Sequence, residues 1–143
     1  MSYLSNFERT FSEHTLKIVQ GYSGPFEATL LVNCLLGLLV VPKETVLEAI
    51  PEVPFSELAN WGLSDTSIKC PGRSTKTNPN PNTLRGLVAN LRHSVAHFRV
   101  KPVPASGDVH SFEYTNDVGF HAIVPLSEMR CFVEKLSSHL SLQ

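Results

Sequence analysis

The sequence predicts a mainly α-helical bundle of four to five helices with a small β-hairpin inserted before the C-terminal helix. Three observations carry this. Apolar residues recur at spacings of three and four through most of the chain, the period drops to two only between residues 109 and 124, and the composition, 42% hydrophobic and 17% charged, is that of a compact globular protein. The 143 residues are expected to form one domain, 1–143. A chain of this length buries roughly 70% of the surface that its unfolded form exposes, so it needs no metal or disulfide to fold.

In the first helix, Leu4 to Val19, the apolar residues Leu4, Phe7, Phe11, Leu16, Ile18 and Val19 are expected to share the inner face. After Gly21 to Pro25, the segment Phe26 to Val41 is apolar nearly all round, as befits a helix in the middle of a bundle, and Pro42 ends it. Short helices are expected at Lys43 to Ile50 and around Phe55 to Trp61. Cys70 to Asn82, dominated by Pro, Asn and Gly, is expected to be a mobile loop. Asn82 or Thr83 can cap the next helix, which should run to about Phe98. Val109 to Tyr114 and Phe120 to Val124 alternate around a turn at Asn116, Asp117 and Gly119, which is the expected hairpin. The closing helix aligns Met129, Phe132, Val133, Leu136 and Leu140 on one face.

The longest apolar run, Leu30 to Val41, contains Asn33 and falls short of the ~20 residues that a membrane span needs. No leader opens the chain, so a cytoplasmic protein is expected. Cys34, Cys70 and Cys131 are an odd number placed far apart and are expected to be reduced, with Cys34 a small core hydrophobe. The net charge of −1 conceals an asymmetry. Lys69, Arg73, Lys76, Arg85, Arg92, Arg99 and Lys101 lie between Thr66 and Gly107 with no Asp or Glu among them, which leaves an acidic remainder. Such a block attracts polyanions, or else is a solvated helix paired with acidic neighbours.

Rotating the Thr83 to Phe98 helix by 100° per residue puts Leu84, Leu87, Val88, Leu91, Val95 and Phe98 on a core stripe. Arg85, Arg92 and Arg99 form a second row. His93 and His97, four apart, stand opposite the core, and Gly86, Ala89 and Ala96 keep that outer face small enough for a second helix to approach.

The segment LRHSVAHF, Leu91 to Phe98, resembles the signature of the HEPN superfamily (higher eukaryotes and prokaryotes nucleotide-binding): an Arg, a polar residue, and a His four to six positions after the Arg. Arg92, His93 and His97 match those places. The order of elements is similar to that of small plasmid-borne bacterial members. The resemblance covers most of the chain in layout and about eight residues in motif. Arg9 and His14 share the spacing, but Thr10 follows the Arg and Glu8 and Glu13 surround the pair, which marks it as a coincidence.

The resemblance implies a metal-independent endoribonuclease that cleaves single-stranded RNA by 2′-hydroxyl attack, with Arg92, His93 and His97 as its catalytic residues. An imidazole with a pKa near 6.5 can exchange the ribose and leaving-group protons, the role given to His97. A guanidinium fork can hold two oxygens of the phosphorane, the role given to Arg92. His93 would orient the phosphate or share the proton work. Arg85, Arg99 and Lys101 are the expected RNA-binding residues. No cofactor is expected. The expected partners are RNA and a second copy of the chain, docked through the Thr83 to Phe98 helix to complete a composite site, with room for an antitoxin or regulatory partner and no membrane. Toxin, phage-defence and RNA-processing roles all occur among superfamily members.

Other classes compete. One is a non-catalytic module that binds RNA, a nucleotide or a protein in the basic groove. Another is a metal site in which His110, His121 and Cys131 gather around the hairpin, although no CxxC or HExxH pattern supports it. Trp61, Phe112, Tyr114 and Phe120 could stack on bases, but residues of this kind are more often core.

Overall fold

The computed structural model describes residues 6–40 and 44–143. The chain runs α1 (Asn6–Gly21), α2 (Glu27–Leu35) with a π-helical continuation (Leu36–Val40), α3 (Glu44–Ala49), a 3-10 segment (Phe55–Trp61), β1 (Ile68–Cys70), α4 (Leu84–Ala96), β2 (Val100–Val103), β3 (Ser111–Thr115), β4 (His121–Pro125) and α5 (Leu126–Ser141). The fold is mainly α, as the periodicity predicts. Leu4, Val41, Pro42 and Lys43, expected to bound the first three helices, lie outside the described residues.

The expected hairpin is there, β3 pairing with β4 from Ser111↔Pro125 to Thr115↔His121, but it is the middle of a four-stranded antiparallel sheet ordered β1-β4-β3-β2. The two added strands carry little signal of their own. β1 has three residues, at the end where a loop was expected, and β2 contains Pro102, which an edge strand tolerates because one side of it needs no amide donor. Strand β4 runs directly into α5, and Glu128 in the first turn of α5 accepts hydrogen bonds from Ser64 N (2.9 Å) and Ser67 Oγ (2.9 Å). Those bonds draw the segment before β1 against the sheet.

One continuous core joins the inner faces of α2, α4 and α5 to Phe112, Tyr114, Phe120, Ala122 and Val124 of the sheet layer. All five apolar residues expected on the inner face of α5 are buried, as are Phe112, Tyr114 and Phe120. Trp61 is half-buried, edge-on to His139 with ring centroids 5.1 Å apart. Cys34 is buried, which pushes its thiol pKa up, and all three cysteines are free thiols.

Helix α1 departs from expectation. Its inner face is Ser12, Thr15 and Val19, while Phe7 (77% exposed), Phe11 and Ile18 face outward. Ser12 and Thr15 can be buried because their hydroxyls donate to the carbonyls of Glu8 (3.0 Å) and Phe11 (2.8 Å), one turn back. Their small side chains let α1 lie close to α5. Arg130 of α5 then fastens the end of α1, donating to Tyr22 O (2.8 Å) and pairing with Glu27 Oε2 (2.5 Å).

Helix α4 starts where the cap predicts, with Thr83 Oγ1 accepting from Gly86 N (3.2 Å), but it ends at Ala96 with His97 as its C-cap. Its core stripe is buried from Leu84 to Val95, whereas Phe98, placed on that stripe by the helical rotation, is 74% exposed. The regular 100° step stops with the helix, so neither Phe98 nor Arg99 stands in the row where periodicity put it.

Gly86 also differs from expectation. It is buried beneath the loop that precedes α4, and a Cβ there would stand 2.2 Å from Asn80 O and 2.6 Å from Pro81 Cα. Its size serves that close approach and not an open helix face. The loop itself is tied down: Asn78 Nδ2 donates to Gly86 O (3.1 Å), and Thr75 exchanges two 3.0 Å bonds with Asn78. Gly86→Ala is therefore expected to lower unfolding free energy by about 1–3 kcal/mol, because backbone and not a flexible side chain meets the added methyl. Urea denaturation measures this, and a stability within about 0.5 kcal/mol of wild type would show that the loop is free to withdraw.

Candidate functional site

The site is built on the C-terminal half of α4. Leu87, Leu91 and Val95 anchor one face in the core, so Arg92, His93, Ala96 and His97 are turned toward a groove of about 700 Å³. Its other walls are the loop at Thr75, Thr77 and Asn78, the β3–β4 turn at Asn116 and Val118, and Val40, Leu47 and Glu48. All three motif residues therefore line one depression. The imidazoles of His93 and His97 stand with ring centroids 4.5 Å apart, tilted by 40°.

A buried amide pair fixes the opposite wall. Asn116 Nδ2 donates to Asn90 Oδ1 (2.8 Å), Asn90 Nδ2 donates to Pro71 O (3.0 Å), and Asn116 Oδ1 accepts from Val118 N and Phe120 N (3.1 Å each). Ser94 Oγ adds a bond to Thr115 O (2.7 Å). The turn is thus held against α4, with Asp117 beside the motif. Asp117 pairs with the Arg99 guanidinium through Oδ1, and its carbonyl accepts from Arg73 Nη2 (3.1 Å). Its Oδ2 stops 3.9 Å from His93 Nε2, too far for a hydrogen bond, and that buried nitrogen has no hydrogen-bond partner.

This setting favours neutral His93. Burial first, and then neighbouring His97, lower its pKa from the ordinary 6.5; Asp117 pulls it back up, while Arg99 and Arg92 add to the lowering.

The three arginines of the expected row have different neighbours. Arg85, two turns before Arg92 on α4, is already engaged: Nε donates to Ile50 O (2.7 Å), Nη2 to Glu48 O (3.5 Å), and Nη1 lies 3.9 Å from Glu52. Arg99 lies beyond the helix and is paired with Asp117. Lys101 is exposed on β2, opposite Glu113 in the register. Arg92 makes no hydrogen bond or ion pair among the described residues, and it is the arginine in the groove. Sequence reasoning overlooked Asn90 and Asn78. A polar residue at Asn90, flanked by Val88 and Leu91 on a helix with a buried stripe, was the available signal.

The competing metal site does not assemble. His121 Nε2 is bonded to Glu113 Oε2 (2.7 Å), His110 is exposed, and Cys131 stands at Gly62, where a Cβ would come 2.6 Å from its Sγ. Among the described residues no group of three or more His, Cys, Asp or Glu could hold a metal ion. No helix among them is long and apolar enough to cross a membrane.

A helical chain with an Arg–His–His motif on the outer face of one helix, walled by a small sheet, is the arrangement that the HEPN resemblance anticipates. The family model described as HEPN pEK499 p136 matches residues 1–142. The chain belongs to this family, within the HEPN superfamily. No curated protein and no solved structure matches it.

The environment of His93 has a measurable consequence. Histidine NMR titration is expected to give it a pKa below 6.5, and Asp117→Asn is expected to lower that value further by removing the carboxylate that favours the cation. Unfolded His93 binds a proton more readily than the folded residue does. Its contribution to stability is therefore complete above about pH 6.5 and is lost as pH falls from there toward the folded pKa. A value for His93 at or above 6.5 would show that Asp117 outweighs burial.

Proposed function

We propose that the protein is a metal-independent endoribonuclease that cleaves single-stranded RNA by attack of a ribose 2′-hydroxyl on the adjacent phosphate. One observation carries the reading: the unpaired Arg92 shares a groove with two imidazoles 4.5 Å apart, one of them held toward its neutral form. His93 takes the 2′ proton as the 2′-oxygen bonds to phosphorus. His97, exposed at the groove, gives its proton to the 5′-oxygen as the P–O5′ bond breaks. Arg92 holds the non-bridging oxygens while charge accumulates on them. The products are a 2′,3′-cyclic phosphate and a 5′-hydroxyl, and no step needs a metal ion.

The superfamily resemblance supports a homodimer in which two such grooves face one another. With Gly86 covered, the contact on α4 narrows to the turns around Ala96 and His97, both exposed. A toxin or defence role, with an antitoxin or regulatory partner, fits a plasmid-associated family by association alone.

The test is a cleavage assay on RNA with wild type and variants in parallel. His97→Ala should cut activity by about 10²- to 10⁴-fold. It should leave stability near wild type, because the side chain is exposed at a helix cap and leaves no cavity. Cleavage should persist in EDTA, and His14→Ala should change nothing. Light scattering should give about twice 15.8 kDa. If folded, dimeric His97→Ala cleaves like wild type, the nuclease reading is wrong and a non-catalytic RNA-binding module replaces it.

A further inference from the structure

We propose that Phe98 is a nucleobase-stacking residue, presented to RNA by a strained helix terminus next to His97. The proposal rests on the reading of the groove as an RNA site and adds to it the residue that receives the base.

Two observations, one of conformation and one of exposure, point to Phe98. Its φ is +52°, in the left-handed region, and the other described residues with positive φ, Gly62, Gly72, Gly107 and Gly119, are all glycines. The backbone there is a complete Schellman closure: Phe98 N donates to Val95 O (3.1 Å) and Arg99 N donates to Ser94 O (2.7 Å). Glycine is the ordinary residue at that position because any Cβ crowds the neighbouring carbonyl, and a bulky side chain there is an outlier. Burial could compensate for the strain, yet the side chain is 74% exposed. The fold thus holds a large aromatic residue where glycine would suit it better.

Position names the ligand. Phe98 follows His97, which lines the groove, and precedes Arg99, whose guanidinium is paired with the nearby Asp117. Adjacent Cα atoms are about 3.8 Å apart, so a phosphate and ribose engaged by Arg92 and the histidines bring an attached base within reach of residue 98. Every base has a π-face, so stacking of this kind tolerates sequence.

The experiment uses a short 2′-O-methyl oligoribonucleotide, which cannot be cleaved, carrying one 2-aminopurine, with full-length wild type, Phe98→Gly and Phe98→Trp. Phe98→Gly should raise the melting temperature, because the strain is relieved, and should weaken the oligonucleotide about tenfold to hundredfold with loss of 2-aminopurine quenching. Phe98→Trp should keep both affinity and quenching. Light scattering should show equal masses for all three chains.

Unchanged affinity in Phe98→Gly overturns the proposal and leaves the RNA reading standing. A lower melting temperature would mean that the ring supports the fold, and a lower mass would mean that it contacts a second copy; either result overturns it too. If the oligonucleotide binds in a Phe98-dependent way but wild type cleaves no RNA, stacking stands and the nuclease reading falls. If wild type binds no oligonucleotide, both fall.

Discussion

The groove depends on one buried hydrogen bond, from Asn116 Nδ2 to Asn90 Oδ1. Asn90 stands on the helix that bears the motif, and Asn116 opens the turn that walls the groove. Each amide also uses its remaining capacity on backbone, Asn90 on Pro71 and Asn116 on Val118 and Phe120. A neutral hydrogen bond contributes only about 1 kcal/mol net, but losing one partner strands the other without water, at a cost of about 1–3 kcal/mol. The pair therefore acts more as a constraint on register than as a source of stability. It sets how far Asp117 stands from His93, and so how strongly the carboxylate opposes the effect of burial on that imidazole.

Local partners sort the basic residues. Of the seven in the acid-free segment, Arg73 and Arg99 are drawn to Asp117 and Arg85 to the carbonyl of Ile50 and to Glu52. A charge block continuous in sequence is thereby divided, and Arg92 is left in the groove that His93 and His97 also line. An arginine already held by a carboxylate or a carbonyl has less to gain from a phosphate than one with no partner.

Much of the fold was legible because periodicity is a local property. The inner face of α5, the stripe of α4 from Leu84 to Val95, the Thr83 cap and the β3–β4 hairpin all follow from spacing, capping or alternation. The inner face of α1 was not legible. Hydropathy favours Phe7 and Phe11 over Ser12 and Thr15, and only the back-bonding of those hydroxyls with close packing against α5 makes the small face the buried one. Strands β1 and β2 escaped notice because short edge strands take their identity from the strand that they pair with.

What the sequence by itself determined is the mainly helical class, the HEPN membership shown over residues 1–142, and the nearness of His93 to His97, one helical turn apart. These rest on interactions among residues a few positions apart. Tertiary structure alone decided which arginine is available, that burial lowers the pKa of His93, and that Phe98 is turned out of the core. Each of those depends on a partner far along the chain, as Asp117 and Asn116 are for α4, or on where the helix stops. No spacing rule encodes such partners, because chain closure brings them together only when the whole core has formed.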